Sequence, residues 1–413
     1  MEIELSFGGK NIGFDTNDYC PPSSYAGRYG CKFPAPLSFE EIKDKILKEL
    51  SQFKDKFDNS NILTIVNDSY RRTPNGELLS IVWDFVKDGD FIIASGTHRQ
   101  PNDADLRQIF GNILDKVKPK LYFHDCYDQS SLVDIGRTES GTPVLINMKI
   151  IEADLIFAIN SIEPHFFAGF TGGRKSIVPG LAGFDTAATN HRLAKHEKAE
   201  VLNLETNPLH QDLEECIKLI GDKHIYAIQC ITNRESRIVD VFCGQLHDAF
   251  NQACACASKY YTVEIPEKYD IVIANCEPPL DINLYQLQKA QEHGGRMVAD
   301  GGVLIVVGAC KEGVGSEYFM NLAEKYPTPE IALDKGITDD SFGIHKLIKT
   351  ARQLKKNKIY YVTTLDEDVV KRVYFKSFSD IKEALKSALN EIGRNVKIAV
   401  LDDAGYTVPV IKP

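Results

Sequence analysis

Short apolar runs alternate with amphipathic helical stretches along most of the chain, and this alternation limits the possible folds more than any other feature. The runs at residues 62–66, 91–95 and 153–160 are bounded by turn residues, which is typical of buried strands. Helices are predicted from a capping box of Ser38 and Glu41 to about residue 53, and over residues 104–117. Strands that alternate with helices in this way form parallel, doubly wound sheets.

The same pattern starts again in the second half of the chain. A strand at residues 269–275, a helix at 284–299 and a strand at 303–308 form one βαβ unit, and the preceding segment 263–269 is polar and contains a proline. A chain of 413 residues is long enough for two domains of ordinary size. We therefore predict an α/β protein with two doubly wound, Rossmann-like domains and mostly parallel sheets, comprising residues 1–265 and 266–413.

Composition excludes several classes of protein. The formal net charge is −10 and no long run of Lys or Arg occurs, so nucleic acid is not an expected partner. No apolar run is long enough to span a bilayer, and the N-terminal residues form an acidic, alternating strand pattern without the features of a signal peptide. The ten cysteines include no CxxC pair, which indicates reduced thiols in the cytoplasm. We expect a cytoplasmic protein without a membrane partner.

The segment 165–180 combines several groups that bind ligands. Three glycines and Lys175 follow His165 within eleven residues, and His191 comes soon after. A lysine in a glycine-rich loop can contact phosphate or act as a nucleophile, and histidines transfer protons or bind metal. The segment therefore indicates a functional site.

Gly172 and Gly173 come shortly before Lys175, much as glycines precede the lysine of a phosphate-binding P-loop. In a P-loop a glycine stands immediately before the lysine, whereas Arg174 stands there in this chain, so a nucleoside triphosphatase is not expected. A loop that binds some phosphate or nucleotide is still expected. The alternative is that the two glycines only form a turn.

Polar side chains follow three predicted strands directly. Asp68 and Arg71 follow the first, His98 follows the second, and His165 follows the third. Because ligands bind at the carboxyl ends of parallel strands, these residues are candidates for one site. The alternatives are a surface ion pair between Asp68 and Arg71 and a structural role for His98.

Tyr285, Gln286 and Lys289 lie at the start of the predicted helix 284–299. Gln286 and Lys289 share one face near the positive end of the helix and can hold a carboxylate, although a solvated face is the alternative. His191 is expected near the start of a short helix. The remaining histidines are expected to be structural or surface residues, namely His124, His196, His210, His224, His247, His293 and His345.

Together these residues resemble the lactate racemase family, which comprises nickel-pincer-nucleotide-dependent racemases and epimerases of 2-hydroxy acids. The resemblance covers nearly the whole chain, and the central motif is highly specific. It rests on motifs that occur in order, namely Asp68-x-x-Arg71, Gly96-Thr-His98-Arg99, His165-Phe-Phe-Ala-Gly-Phe-x-Gly-Gly-Arg-Lys175-Ser-x-x-Pro-Gly180, Asn190-His191 and Tyr285-Gln286-x-x-Lys289.

The resemblance implies a covalent cofactor. Lys175 would form a thioamide linkage to the pyridinium of the nickel-pincer nucleotide, with Gly172 and Gly173 in the cofactor-binding loop. This cofactor presents two sulfurs and a ring carbon to Ni(II), and His191 would complete a square-planar coordination.

The resemblance also implies that His98 and His165 are the catalytic acid and base. One histidine takes the hydroxyl proton while hydride leaves C2 for the cofactor, and a 2-keto acid forms and rotates. Hydride then returns to the other face while the second histidine supplies a proton. Asp68 and Arg71 would help to bind the cofactor and orient the substrate, and Arg71 would stabilise negative charge on the substrate oxygen.

The resemblance further implies that Tyr285, Gln286 and Lys289 hold the substrate carboxylate, with the active site in a cleft between the domains. Phe342 stands where lactate-specific members carry a tryptophan, and Tyr70 stands where threonine is common. The expected substrate is therefore lactate or a related, larger 2-hydroxy acid. Cofactor-maturation enzymes are the other expected partners.

Two other functions are weighed against this one. A non-catalytic binding or storage protein for a nucleotide-like cofactor needs only the loop 172–175. A nicotinamide dehydrogenase is not expected, because no GxGxxG motif occurs between a strand and a helix.

Overall fold

The computed structural model describes residues 2–58 and 60–412 and consists of two compact units. The central unit is Phe33–Tyr260, and the terminal unit combines Met1–Lys32 with Tyr261–Pro413. Each unit contains a six-stranded sheet that is parallel throughout or in most of its pairs. The predicted α/β class with mostly parallel sheets is therefore confirmed.

The sheet of the central unit is parallel except at one edge, where the strands His224–Thr232 and Ile238–Gln245 form an antiparallel hairpin. Successive residues of the strand Leu155–Ser161 face two different cores, so helices can cover both faces. In spatial order the strands are Ile238–Gln245, His224–Thr232, Leu155–Ser161, Ile62–Asn67, Asp90–Ala94 and Leu121–Phe123.

The helices of the central unit begin with the predicted capping box, in which Ser38 and Glu41 bond each other's backbone. The predicted helix 104–117 is interrupted, because Gly111 has a φ of 51° and ends its first part. Two short antiparallel pairs complete the unit, Leu132–Arg137 with Pro143–Asn147 and Pro164–His165 with Gly169–Phe170. The helices are Phe39–Leu50, Lys54–Asp58, Asn75–Val86, Asp103–Phe110, Leu114–Val117, Met148–Glu152, Phe184–Arg192, Pro208–Leu219 and Leu246–Tyr261.

The sheet of the terminal unit is parallel throughout. In spatial order its strands are Lys376–Phe378, Lys358–Val362, Val298–Val307, Tyr269–Asn275, Ile398–Leu401 and Tyr25–Tyr29. The smaller strand pairs are Glu2–Phe7 with Lys10–Asp15 and Thr262–Ile265 with Val408–Ile411. The helices are Leu284–Gly295, Glu317–Lys325, Pro329–Lys335, Ile344–Leu354, Glu367–Arg372 and Ile381–Ile392.

The division of the chain differs from the predicted domains 1–265 and 266–413 in its first residues. Met1–Lys32 belongs to the terminal unit, because Tyr25–Tyr29 pairs with Ile398–Leu401 as an edge strand. Ile3 and Leu5 are buried in the same core as this sheet. The boundary between the units lies at residues 260 and 261, close to the predicted position.

The structure joins none of the ten cysteines in a disulfide, and all ten lie within its described residues. Among the helices of residues 2–58 and 60–412, none is long and apolar enough to cross a membrane.

Candidate active site

Three neighbouring strands of the central sheet place the predicted polar residues at one edge. Leu155–Ser161, Ile62–Asn67 and Asp90–Ala94 are adjacent and parallel, so the loops that follow them leave the sheet on the same side. These loops carry His165, Asp68 and His98.

His98 is held by Asp68. The Nδ1 atom of His98 lies 2.6 Å from the Oδ2 atom of Asp68, and the Tyr70 ring packs 4.7 Å from the imidazole, centroid to centroid. A carboxylate accepts this bond, so Nδ1 carries a proton and Nε2 carries the lone pair of the neutral ring. The side chain of His98 is 33% exposed and that of Asp68 is 11% exposed. The contact with Asp68 therefore fixes the orientation of the His98 imidazole, which is still one-third exposed.

His165 lies in the short hairpin and contacts Lys175. Its Nδ1 accepts a hydrogen bond of 3.3 Å from the Ala168 N–H, and its Nε2 lies 3.3 Å from the Lys175 Nζ. Because Nδ1 is an acceptor, the neutral ring carries its proton on Nε2, which faces the lysine. The Lys175 amine therefore lies within hydrogen-bond distance of the His165 nitrogen that does not accept the Ala168 N–H.

The glycines before Lys175 are required by packing within the protein. Gly172 and Gly173 have φ values of 70° and 53°. A Cβ on Gly172 would lie 2.4 Å from the side chain of Ile162, and a Cβ on Gly173 would lie 2.5 Å from the ring of Phe250. The side chains of the chain itself fill this space, so these glycines fix the shape of the loop and offer a ligand only their backbone.

His191 lies in the last turn of the helix Phe184–Arg192, so its predicted position near a helix start is wrong. Its Nδ1 donates a hydrogen bond of 2.7 Å to the Ala187 carbonyl oxygen, which places the ring's lone pair on Nε2. The Phe167 ring contacts both imidazoles, with centroid distances of 5.1 Å to His191 and 4.4 Å to His165. The structure therefore brings His165, Lys175 and His191 together around one aromatic ring.

Arg71 contacts Glu163, a residue that the sequence reasoning missed. Their side chains approach to 3.5 Å, and Glu163 is fully buried and also accepts a hydrogen bond of 3.0 Å from Ser161. Asp68 and Arg71 do not form the alternative surface ion pair, because Asp68 pairs with His98 and Arg71 with Glu163. The position of Glu163 just after a buried strand was the available signal.

The predicted carboxylate-binding residues belong to the terminal unit and lie at the start of the helix Leu284–Gly295, as expected. Gln286 and Lys289 are only 9% and 8% exposed, so the alternative of a solvated face is wrong. Lys346 donates a hydrogen bond of 2.6 Å to the Tyr285 carbonyl oxygen, and its Nζ lies 3.6 Å from the centre of the Tyr285 ring. Burial, followed by the positive charge of Lys289, holds the pKa of Lys346 well below its usual value. Lys289 is therefore the buried basic side chain of this helix that can pair with a carboxylate.

The side chains around Lys175 fit a metal whose ligands come mostly from a cofactor. Within the described parts of the chain, no group of three or more His, Cys, Asp or Glu side chains is arranged to hold a metal ion. His191 presents the Nε2 atom of its imidazole, and the Lys175 amine lies against the same Phe167 ring. A metal held at this place would therefore take most of its ligands from a bound organic group rather than from the protein.

Two family models match most of the chain. Residues 37–202 match the model of the lactate racemase N-terminal domain, and residues 265–410 match that of the lactate racemase C-terminal domain. The lactate racemase of Thermoanaerobacterium thermosaccharolyticum is 29% identical over 97% of both chains, and that of Lactiplantibacillus plantarum is 27% identical over 98% of both.

Two solved structures are similar in fold. The lactate racemase apoprotein from T. thermosaccharolyticum matches with a TM-score of 0.89 and 28% identity over 100% of both chains. A Thermotoga maritima protein shares the fold at 17% identity and a TM-score of 0.71, over 92% of this chain and 100% of that one. With both family models matched and the site motifs present, the chain belongs to the lactate racemase family of isomerases.

Proposed function

We propose that this protein racemises lactate or a related, larger 2-hydroxy acid, with His98 and His165 as the acid and base. The observation that carries the proposal is the placement of both histidines at one edge of the central sheet, each held by a hydrogen bond to Nδ1. The family membership and the racemase names of the relatives support the reaction class. Inversion at C2 needs a proton-transfer group for each face of the carbon, and two histidines can serve alternately as acid and base near neutral pH.

The proposed cofactor is a nickel-pincer nucleotide on Lys175 with His191 as the protein ligand of Ni(II). When bound, this group accepts hydride from C2 of the substrate and returns it. Lys175 would anchor the group through its amine, and His191 would bind the metal through Nε2, the atom that carries its lone pair. Gly172 and Gly173 would shape the loop beside it.

The residues of the chain perform the proton transfers and the orientation. Asp68 accepts the Nδ1 proton of His98, so Nε2 of His98 is the atom that takes or gives the hydroxyl proton. Arg71, braced by Glu163, would place positive charge near the substrate oxygen and the cofactor. His165 would exchange its proton from Nε2, the nitrogen that faces Lys175.

Tyr285, Gln286 and Lys289 are proposed to hold the substrate carboxylate. Gln286 lies in the first turn of the helix, where backbone dipoles favour negative charge, and the buried Lys289 follows about one turn later. Tyr70 packs on His98 and is proposed to limit the size of the substrate. Phe342, whose ring centroid lies 6.2 Å from that of Tyr318, is proposed to have the same effect. The protein is proposed to act in the cytoplasm and to receive its cofactor from maturation enzymes.

The test is to produce the protein together with a nickel-pincer nucleotide maturation system and to follow the optical rotation of lactate and larger 2-hydroxy acids. His98→Asn and His165→Asn should lower turnover about 10²- to 10⁴-fold while the mass of the cofactor adduct persists. His196→Asn, a change at an exposed histidine, is the control and should leave turnover unchanged. If the cofactor is attached but no 2-hydroxy acid is racemised, a cofactor-binding or storage role replaces the proposal.

A further inference from the structure

A cavity of about 610 Å³ lies beside the turn that carries Lys175, on residues that the racemase reaction does not use. Its lining residues all belong to the central unit, and neither His98 nor His165 is among them. Its walls mix apolar and cationic side chains, among them Arg174, Lys218, Ile225, Leu246 and Phe250.

Arg174 is the buried cation of this cavity. Its side chain is 1% exposed, its guanidinium stacks 4.4 Å from the centre of the Phe250 ring, and one nitrogen donates to the Ala168 carbonyl oxygen at 3.0 Å. Its Nε and Nη1 atoms have no hydrogen-bond partner among the described residues. The Glu214 carboxylate stops at 3.7 Å from Nε, beyond hydrogen-bond distance. Buried donors are rarely left without acceptors in folded proteins, so a bound water or ligand is expected to satisfy these two nitrogens.

The charge of the lining selects the kind of partner. The lining includes three basic residues, Arg174, Lys218 and Lys223, and one carboxylate, Glu214, so its formal charge is positive in a chain whose net charge is −10. The Lys223 ammonium is bound by two backbone carbonyl oxygens, which leaves Arg174 and Lys218 as the cations for a ligand. Glu214 is also approached by His247, at 3.6 Å. An acid group would supply the acceptors that Arg174 lacks, and apolar walls favour an apolar body attached to it.

We infer that this cavity binds an organic anion, a carboxylate or a phosphate ester with an aromatic or aliphatic body. The bound acid group pairs with Arg174 and Lys218, and its apolar body packs against Phe250 and Leu246. This inference does not depend on the proposed racemase function, since none of these side chains is assigned to that reaction.

Binding in this cavity is coupled to the loop of Lys175. Arg174 and Gly173 belong to the same short 3-10 turn, Gly173–Ser176, and the Phe250 ring fills the space next to Gly173. A ligand that contacts Arg174 and Phe250 therefore restrains this turn. Lys175, in the same turn, contacts His165 and not the cavity. Amide hydrogen exchange at residues 173–176 should slow when the ligand is bound.

Calorimetric titration of the full chain with benzoate and with phenyl phosphate tests the inference, with benzyl alcohol as the neutral control. One or both anions should bind saturably at one site per chain, and the comparison of the two tells a carboxylate from a phosphate ligand. Because Arg174 is buried and its replacement also disturbs packing, the deciding variant is Lys218→Glu at an exposed position. It should weaken binding about tenfold, since two units of charge change near the acid group.

Lys118→Glu, an exposed charge reversal elsewhere in the same unit, is the matched control and should leave the affinity unchanged. The inference is overturned if neither anion binds saturably, if benzyl alcohol binds as tightly as the anions, or if Lys218→Glu has the same affinity as the unmodified chain.

Discussion

Replacement of Asp68 by asparagine tests whether the contact with His98 supports turnover. The two side chains meet at 2.6 Å, and the carboxylate keeps a proton on Nδ1 of His98. An asparagine amide can instead donate to Nδ1, which would put the ring proton on Nε2 and remove the lone pair that serves as base. Asp68→Asn changes the size of the side chain very little, so the effect on packing is small.

The expected loss of kcat/KM in Asp68→Asn follows from the strength of the hydrogen bond between Asp68 and His98. A hydrogen bond to a charged group contributes about 1.5–3 kcal/mol. The imidazole is one-third exposed, so solvent screening places this bond near the lower end, at about 1.5–2 kcal/mol. At about 1.4 kcal/mol per factor of ten, kcat/KM for lactate should fall about 10- to 30-fold.

The assay compares initial rates of lactate racemisation in cofactor-loaded Asp68→Asn, Asp115→Asn and the unmodified chain. Asp115 is an exposed residue of the same unit, so its variant controls for loss of a carboxylate. Rates are divided by the fraction of chains whose mass shows the cofactor, which separates turnover from loading. Unchanged kcat/KM in Asp68→Asn at equal loading would refute the role given to this contact.

Three further predictions concern packing, pH and substrate binding. Gly173→Ala should lower the free energy of unfolding by about 2–4 kcal/mol in urea denaturation, because positive φ strain adds to a clash with Phe250. Gly141→Ala, at a φ of 85° with open space around it, should cost only about 1 kcal/mol, and equal losses would contradict the packing argument. Burial lowers the pKa of His293 to about 3, so the unfolded state takes up the proton first as the pH falls below about 6.5, and stability declines from there. Between pH 6.5 and 5 the unmodified chain should lose about 2 kcal/mol more than His293→Gln, and parallel pH profiles would oppose this assignment. Lys289→Ala should raise KM for lactate about 10- to 100-fold with cofactor loading intact, since a charged hydrogen bond to the carboxylate is lost, and an unchanged KM would exclude Lys289 from substrate binding.

The buried strands and the helix starts were predictable because their signals are local. The strand Tyr269–Asn275 agrees with its predicted range, and the capping box of Ser38 and Glu41 forms as its sequence indicates. The pairing of Tyr25–Tyr29 with Ile398–Leu401 was not predictable, because residues more than 300 positions apart form it. Nothing in a window of either strand specifies such a partner, so residues 1–32 were assigned to the wrong half.

In the candidate site, too, local patterns predicted some residues and missed those whose role depends on distant contacts. The rule that ligands bind at the carboxyl ends of parallel strands located His98, Asp68 and His165 on one edge. Glu163 was not identified, because its position after a buried strand was the only local signal and its role depends on contact with the distant Arg71. The requirement for glycine at position 173 also comes from a distant residue, because the Phe250 ring fills the space that a Cβ would need. Contacts between distant segments decide these roles.

Racemisation of lactate labelled with deuterium at C2, in ordinary water, distinguishes hydride transfer from proton abstraction. If hydride leaves C2 and returns to it, the inverted product made by the cofactor-loaded protein should keep its deuterium, and turnover should be slower than with unlabelled lactate. The control is Lys175→Arg produced in the same way, which should give no inverted product. Inverted lactate that has lost its deuterium to solvent would show proton abstraction at C2 and would contradict the account.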